Sequence, residues 1–367
     1  MTTPEASQSG DETGIAQNEG SNQFTRLPQL RITVNSRCGR ACFFCRPSGE
    51  AVSTKAGTEL DPNTAFEIVD ICTKLGVSDV KITGGDPALW NPLVACAARI
   101  KSELNCHLDV ISRHPKIADH AEGLADAGVD LFNMSVDTLD SDLHKKITGI
   151  DDLPSVLAAL AKCVDSGIET KVNMVVMSGI NDHEIDAIIE FCERNGVKQL
   201  KLLDLMTDLE DGEENYSRRL QLLGVGSLRD IYLPLDVISE KLHAKSVDMR
   251  VFQQAGLGNP MKSFKMPSGL EVIVKDHHAG AYYGSICKGC NHYPCHSALM
   301  AIRLTADARI QYCLLREDIC VDTKLLTERS AIESAIKNAL TVYDKATFHP
   351  GPEGGDDHEK LELPIIQ

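Results

Sequence analysis

The feature that most constrains the fold is a regular alternation of short apolar or β-branched runs with longer segments of helical period, across residues 29–206. Such alternation is typical of βα units around a parallel sheet. One helical segment, Asn63–Leu75, follows Asp61 and Pro62 as cap and first-turn residues, and another, Leu153–Ser166, ends before a glycine. The predicted strands are Leu30–Val34, Asp79–Thr83, Leu108–Ser112, Leu131–Val136, Thr170–Val176 and Gln199–Leu205. Six such units predict an α/β protein with a partial (β/α)6 barrel.

The texture of the sequence changes after Met206, where an acidic stretch begins. Beyond it lie strand-like runs at Val247–Val251 and Leu270–Val274, a second group of cysteines, and a helix predicted over about Ser330–Tyr343. We therefore divide the chain into a disordered polar tail (1–26), the partial barrel (27–206), a smaller second domain (207–345) and a polar tail with Gly and Pro breakers (346–367).

Composition narrows the class of protein. A chain of 367 residues with 43% hydrophobic composition can bury a large core. Its formal net charge of -16 gives little attraction for nucleic-acid backbones or anionic lipid, although a local basic pocket could still bind one nucleotide. We find no apolar core of signal-peptide length in the first tail, and no run near the roughly 18 apolar residues of a membrane span. We therefore expect a cytoplasmic enzyme that binds neither nucleic acid nor membrane.

The thirteen cysteines would be awkward as disulfides in a reducing cytosol, so their grouping decides their meaning. Cys38, Cys42 and Cys45 form a C-x3-C-x2-C group directly after the first predicted strand, at the end of a strand where barrel folds build active sites. Three thiolates can ligate three irons of a 4Fe–4S cluster and leave the fourth iron open. The alternative is zinc, whose structural sites normally take four protein ligands arriving as spaced pairs.

A glycine-rich loop, KITGGDP, follows the second predicted strand. Gly84 and Gly85 lack a Cβ atom, so we expect the backbone of this loop to approach a small ligand closely. Asp86 and Pro87 complete the loop. A Gly-Gly loop alone would be weak evidence, but its position beside the cysteine group strengthens it.

Together these motifs resemble the radical S-adenosylmethionine (SAM) superfamily, whose pattern is C-x3-C-(x-aromatic)-C followed by a GGEP-like loop after the next strand. Phe44 takes the aromatic position and Gly84–Pro87 takes the loop. The resemblance implies that SAM chelates the open iron of the cluster and is cleaved to a 5′-deoxyadenosyl radical that abstracts hydrogen from a substrate. It also implies an electron donor such as a flavodoxin or ferredoxin.

After residue 28 the sequence is similar to the GTP cyclase family of molybdenum-cofactor biosynthesis. NMSVDTLDSDLHKKITG and KVNMVVMSGINDHEI match its fourth-strand and fifth-strand motifs. The two resemblances together imply cofactor-binding positions at Phe44, Gly84, Gly85, Asp86, Ser135 and, more loosely, Ser112. They imply substrate-binding positions at Arg31, Lys171, Asn173 and Arg303.

Physical reasoning on Lys171 is independent of that resemblance. A lysine that points inward from a barrel strand is not expected to be buried without a partner. The partner is either an anionic ligand or an internal carboxylate such as Asp204. We favour the ligand, because charges on strands at a barrel mouth commonly serve sites.

The second cysteine group, CKGCNHYPCHSALMAIRLTADARIQYC, resembles the auxiliary-cluster motif of the same family. The resemblance implies that Cys287, Cys290 and Cys313 hold a second 4Fe–4S cluster, and Cys295 could complete its ligand set. A zinc site is the alternative, since His292 and His296 add imidazole ligands.

The chain also departs from that family. The spacing between Cys290 and Cys313 is longer, His292 replaces an arginine, the arginine expected near Trp90 is missing, and the C-terminus reads LPIIQ without a Gly-Gly tail. We therefore favour a specialised relative that acts on a small anionic substrate, for example a nucleotide-like one, in a biosynthetic pathway. The alternatives are an orthodox GTP 3′,8-cyclase, a peptide-modifying radical SAM enzyme and, outside enzymes, a zinc-binding regulatory protein.

Overall fold

The computed structural model describes residues 24–45, 54–209, 220–254 and 256–351, together with the backbone of Ile365–Ile366. The tail expected at 1–26 therefore lies almost wholly outside the described residues, as does the polar tail from residue 352 to residue 364. Within the described part of the chain, no helix is both long and apolar enough to cross a membrane.

Six parallel strands form the barrel segment and pair in chain order. They are β1 (Gln29–Thr33), β2 (Asp79–Thr83), β3 (His107–Ser112), β4 (Leu131–Ser135), β5 (Glu169–Val175) and β6 (Gln199–Leu203). Each of the six barrel strands predicted from the sequence is confirmed to within two residues at either end. The partial barrel predicted from the βα alternation is thus confirmed.

Helices cover the outer face of this sheet. They are α1 (Pro62–Lys74), α2 (Leu93–Glu103), α3 (Ala121–Asp126), α4 (Ser141–Thr148), α5 (Leu153–Asp165) and α6 (Ile185–Arg194), followed later by α7 (Asp236–Lys245) and α8 (Arg329–Asp344). Asp61 caps α1 as predicted, because its carboxylate accepts a hydrogen bond from Thr64 N at 2.9 Å. The helix predicted near the C-terminus corresponds to α8.

The C-terminal part of the chain extends the same sheet at both ends. The strands that extend it are β7 (Asp248–Gln254), β8 (Met261–Lys265), β9 (Glu271–Lys275), β11 (Ala301–Leu304), β12 (Arg309–Cys313), β13 (Arg316–Asp322) and β15 (Ile365–Ile366). Two further strands, β10 (Ala281–Tyr283) and β14 (Thr347–His349), pair antiparallel in a separate two-stranded sheet. Strand β9 pairs in parallel with β6, and β11 pairs in parallel with β1. The chain leaves β6 near the predicted boundary at residue 206, but the sheet continues on both sides of it.

The two faces of the barrel strands differ in chemistry because side chains alternate along a strand. On β2, Val80 and Ile82 are buried among the helices, whereas Lys81 and Thr83 point to the inside of the curled sheet. The outward residues of β1 to β6 join one large apolar core. The inward residues are mostly polar and leave a central cavity.

Candidate functional site

The central cavity has a volume of about 450 Å³. It is lined by inward residues of β1 to β6 and β9, by the loops after β1, β2 and β3, and by single residues of the C-terminal part, among them Leu257, His296, Met300 and Leu314. This volume is in the range of small-molecule sites. The loops lie at the carboxyl ends of the parallel strands, where barrel enzymes bind their substrates.

Three thiols of the first cysteine group face this cavity. Cys38, Cys42 and Cys45 lie in the loop after β1, and Phe44 lines the cavity with them. Arg113 Nη1 donates to Cys42 Sγ at 3.5 Å. Among the described residues no other cysteine lines this cavity. The donor set therefore fits a 4Fe–4S cluster with three protein ligands and one open iron.

Arg113 was missed by the sequence analysis. Its Nη2 atom lies 2.6 Å from Asp137 Oδ2, which is buried, and the Arg113 side chain is 12% exposed. The guanidinium thus places a positive charge beside the Cys42 thiol. Burial, and then the charge of Asp86, raise the pKa of Cys38 to about 11, so a metal ion that binds this thiol would have to displace a proton.

The glycines of the GGDP loop pack against the cysteine loop. A Cβ atom on Gly85 would lie 2.3 Å from Arg37 O, and one on Gly84 would lie 2.9 Å from Asn35 Oδ1. Gly85 N donates to Asn35 O at 2.7 Å, and Asp86 N donates to Arg37 O at 2.6 Å. The glycines thus fix the loop that carries the cysteines. Both also line the cavity, so their contact with a cofactor stays a prediction.

Asp86 and Ser112, both predicted to bind the cofactor, are hydrogen-bonded to each other. The buried carboxylate of Asp86 accepts from Ser112 Oγ at 2.6 Å and from Ala88 N at 3.0 Å. It also accepts from Arg113 N at 2.9 Å and from His114 N at 3.0 Å. These bonds join the loops after β2 and β3, so both side chains position the cavity wall.

Besides Lys81 on β2, four cationic side chains of the strands line the cavity. Arg31 lies on β1, Lys171 on β5, Lys201 on β6 and Lys275 on β9, and all four border the cavity. Lys201 and Lys275 were missed by the sequence analysis. Within the described residues, the ammonium groups of Lys171, Lys201 and Lys275 make no hydrogen bond and no ion pair within 4.0 Å.

Burial and the closeness of these positive charges lower the pKa values of Lys171 and Lys201. Lys81, by contrast, forms an ion pair, in which its Nζ atom lies 2.5 Å from Asp109 Oδ2. Burial, with the nearby charge of Lys81, lowers the pKa of Lys171 to about 8. Burial and the ammonium groups of Lys171 and Lys275 lower the pKa of Lys201 far below its usual value. An anion in the cavity would relieve this repulsion.

The ion pair that sequence analysis offered as an alternative for Lys171 is not formed. Asp204 instead accepts from His277 N at 2.9 Å and lies 2.6 Å from His277 Nδ1. The interpretation of Lys171 as partner of Asp204 is therefore wrong. Its interaction with an anionic ligand stays a prediction.

The remaining predicted substrate and cofactor residues divide between the cavity and its surroundings. Ser135 and Asn173 line the cavity, in register with each other on β4 and β5. Arg303 is in register with Arg31, but it is buried and does not border the cavity, and its Nη1 atom donates to Ala301 O at 3.0 Å.

The second cysteine group surrounds a smaller cavity. Cys287, Cys290, Cys295 and Cys313 all line it, together with Tyr283, His292 and Arg316. The next residues along the chain, His296 and Leu314, line the central cavity. The two cavities therefore share a wall. Four thiols fit a fully ligated 4Fe–4S cluster and also fit zinc.

Comparison with known proteins places these features in context. The family model of the radical SAM superfamily matches residues 32–192. The chain is 30% identical over 306 residues to the probable GTP 3′,8-cyclase of Methanococcus aeolicus, covering 81% of this chain and 88% of that protein. It is 28% identical over 296 residues to the probable GTP 3′,8-cyclase of Thermococcus kodakarensis, covering 81% of this chain and 87% of that protein.

Solved structures show the same architecture. Streptococcus suis SuiB bound to S-adenosylmethionine aligns with a TM-score of 0.56 at 12% sequence identity. The alignment covers 84% of this chain and 66% of SuiB. At this identity the likeness concerns the fold alone.

Proposed function

The chain belongs to the radical SAM superfamily and is an enzyme, and we propose that its substrate is a small polyanion of nucleotide type, bound in the central cavity. Cys38, Cys42 and Cys45 would hold the 4Fe–4S cluster. This cluster, when reduced by an electron donor such as a flavodoxin or ferredoxin, would cleave SAM to a 5′-deoxyadenosyl radical that abstracts hydrogen from the substrate.

One observation carries the substrate class. Lys171, Lys201 and Lys275 point into one cavity with no hydrogen-bonding partner among the described residues, and Arg31 faces them from β1. Buried charges are unfavourable unless they are paired. Hydrogen bonds to charged groups contribute about 1.5–3 kcal/mol each, so a ligand with several negative charges would gain most from this wall.

The strand positions give the substrate a direction. Arg31, Lys171 and Lys201 each lie at the third residue of their strands, whereas Lys275 is the last residue of β9 and is in register with Leu203. Three of the four cations therefore lie inside the curled sheet. The thiols and the GGDP loop lie beyond the carboxyl ends of the strands. The anionic end of the substrate would thus bind deep in the cavity and leave its other end near the cysteine loop. Radical chemistry on a C–H bond needs this arrangement, because the reacting carbon has to be held still and away from water.

The second cysteine group is proposed to hold an auxiliary 4Fe–4S cluster. Four thiols surround its cavity, and Cys295 completes a set of four protein ligands with Cys287, Cys290 and Cys313. Because Cys313 and Leu314 line the two adjoining cavities, this cluster would lie directly behind the substrate wall.

The test of the substrate class is turnover. Anaerobically reconstituted enzyme is supplied with SAM, a reductant and either GTP, ATP, guanosine or a peptide, and 5′-deoxyadenosine and products are measured by mass spectrometry. We expect a phosphorylated substrate to raise 5′-deoxyadenosine formation and its nucleoside to have little effect. Equal stimulation by nucleoside and nucleotide, or stimulation by peptide alone, would contradict the proposal.

The departures from the cyclase family lead us to expect GTP itself to be a poor substrate. Deuterium transfer from ribose-labelled GTP into 5′-deoxyadenosine measures this directly. Efficient transfer with a cyclic product would instead give this chain the activity named for its relatives.

A further inference from the structure

A third group of potential metal ligands lies apart from both cysteine groups. Asp204 follows β6, His277 follows β9, and His296 follows the second cysteine loop. One ligand atom from each residue lies within 4.8 Å of those of the other two. The ring centroids of His277 and His296 are 3.6 Å apart. Asp204 and His296 line the central cavity.

His296 has a nitrogen that no described group satisfies. The side chain is only 9% exposed, and its Nδ1 atom lies 2.7 Å from Asp208 Oδ2. Its Nε2 atom is buried without a hydrogen-bond partner and lies 3.9 Å from Asp204 Oδ2. A histidine whose one nitrogen donates to a carboxylate while the other offers a lone pair is the arrangement that protein metal sites use.

We propose that Asp204, His277 and His296 bind a divalent transition-metal ion of the zinc or ferrous class at the wall of the central cavity. Two imidazoles and one carboxylate form a donor set that both ions accept. Asp208 would orient His296 from outside the coordination sphere. Three protein ligands leave coordination positions open, and these face the cavity, where water or an anionic group of a ligand can bind.

The separations suit such an ion. With metal–ligand bonds of about 2.0–2.2 Å in a tetrahedral site, ligand atoms lie about 3.3–3.5 Å apart. His277 Nδ1 is 2.6 Å from Asp204 Oδ2, and His296 Nε2 is 3.9 Å from the same oxygen. These values lie on either side of the required distance, so small side-chain movements would complete the site.

A neighbouring group provides the comparison. Asp276 and His278, with the shared His277, also bring one ligand atom each within 4.8 Å, but Asp276 and His278 do not line the central cavity as Asp204 and His296 do. The Tyr232 hydroxyl lies 2.9 Å from His278 Nδ1 and 3.1 Å from His277 Nδ1. His278 is thus a matched control, since it is a half-buried histidine beside the proposed ligands.

The experiment measures zinc binding to the reconstituted enzyme without substrate, so its result does not depend on the proposed substrate class. The holoenzyme is equilibrated with Zn²⁺, unbound metal is removed, and zinc, iron and sulfide are counted. We expect one zinc per chain beyond the cluster iron. The zinc absorption edge should show imidazole and oxygen ligands at about 2.0–2.2 Å, without sulfur at about 2.3 Å.

Three variants locate the ion. Asp204→Asn and His296→Gln should weaken zinc binding by at least tenfold, while His278→Gln should retain it. Asp204→Asn should keep wild-type iron and sulfide, which separates metal loss from damage to the clusters. Absence of stoichiometric zinc, sulfur ligation of the zinc, or loss in His278→Gln with retention in Asp204→Asn would each overturn the proposal.

Discussion

Because Gly85 has no Cβ atom, the backbone of the cysteine loop can pack directly against it. The backbone of Arg37 occupies the space that a Cβ atom would need, and Arg37 directly precedes Cys38. Any side chain at this position has to displace backbone atoms, because no flexible side chain is there to yield. A change at Gly85 would thus move Cys38, Cys42 and Cys45 through the loop that carries them.

We therefore expect Gly85→Ala to reduce the iron bound after reconstitution to about half, since displacement of Cys38 would remove the first of two clusters. Iron and sulfide analysis measures this. Gly226→Ala is the control, because its Cβ atom would meet only Asp230 Oδ2, at 3.1 Å. Full iron content together with lost SAM cleavage would show instead that the glycine leaves room for the cofactor.

The protonation state of Lys171 should make anion binding in the cavity depend on pH. Its pKa is lowered to about 8, first by burial. Only the protonated amine attracts an anion, and this form is lost as the pH rises through that value. The affinity for inorganic tripolyphosphate should therefore fall between pH 7 and pH 9, as measured by calorimetry.

Two variants separate Lys171 from the other groups that face the cavity. Arginine stays protonated throughout this range, so Lys171→Arg should flatten the pH dependence. Lys171→Ala should weaken binding at pH 7 by about tenfold or more, equivalent to the loss of a charged hydrogen bond. An unchanged pH profile in Lys171→Arg would assign the effect to Lys201 or Lys275.

At the scale of strands and helices, the positions of single elements could be predicted from local sequence, whereas the pairing of distant strands could not. The six barrel strands and α1 could be predicted because hydrophobic period and capping residues are local. The inward positions of Lys201 and Lys275 follow from the same alternation that placed Lys171, so sequence could have indicated them. The pairing of β9 with β6 could not be predicted, because nothing local specifies a partner strand that lies so far along the chain.

The candidate sites divide in the same way. The cysteine groups were found because their ligands are close in sequence. Asp204, His277 and His296 come together only through the pairing of β6 with β9 and the course of the second cysteine loop. The role of Gly85 was also beyond sequence, since its neighbour Arg37 lies on another loop.

The buried hydroxyl of Tyr343 connects helix α8 to the sheet through hydrogen bonds. Tyr343 is fully buried, and its hydroxyl lies 2.8 Å from Ala301 O and 2.5 Å from Tyr312 O. Tyr343→Phe should lower the free energy of unfolding by about 1–2 kcal/mol, because a buried carbonyl loses its donor. Thermal unfolding measures the change. Tyr282→Phe, which removes a half-buried hydroxyl that makes no hydrogen bond among the described residues, should leave stability unchanged.

At the scale of the whole molecule, two separate cysteine groups predict two independent clusters. Replacement of Cys38, Cys42 and Cys45 by alanine should leave about half of the iron, and replacement of Cys287, Cys290 and Cys313 should leave the other half. Iron analysis and absorption in the blue measure both. Complete loss of iron in either variant, or zinc bound through sulfur in the wild type, would contradict a two-cluster enzyme.

The order of strands in the sheet also bears on how a ribosome can make this protein. Strands β1 and β6 receive their outer neighbours, β11 and β9, only from the last third of the chain. A nascent chain that ends near residue 206 therefore exposes two unpaired strand edges, which readily recruit strands of other chains. We expect a fragment of residues 24–206 to aggregate when it is expressed alone, as a sedimentation assay would show. The cysteine loop after β1 would then reach its folded position only once β9 and β11 have been synthesised.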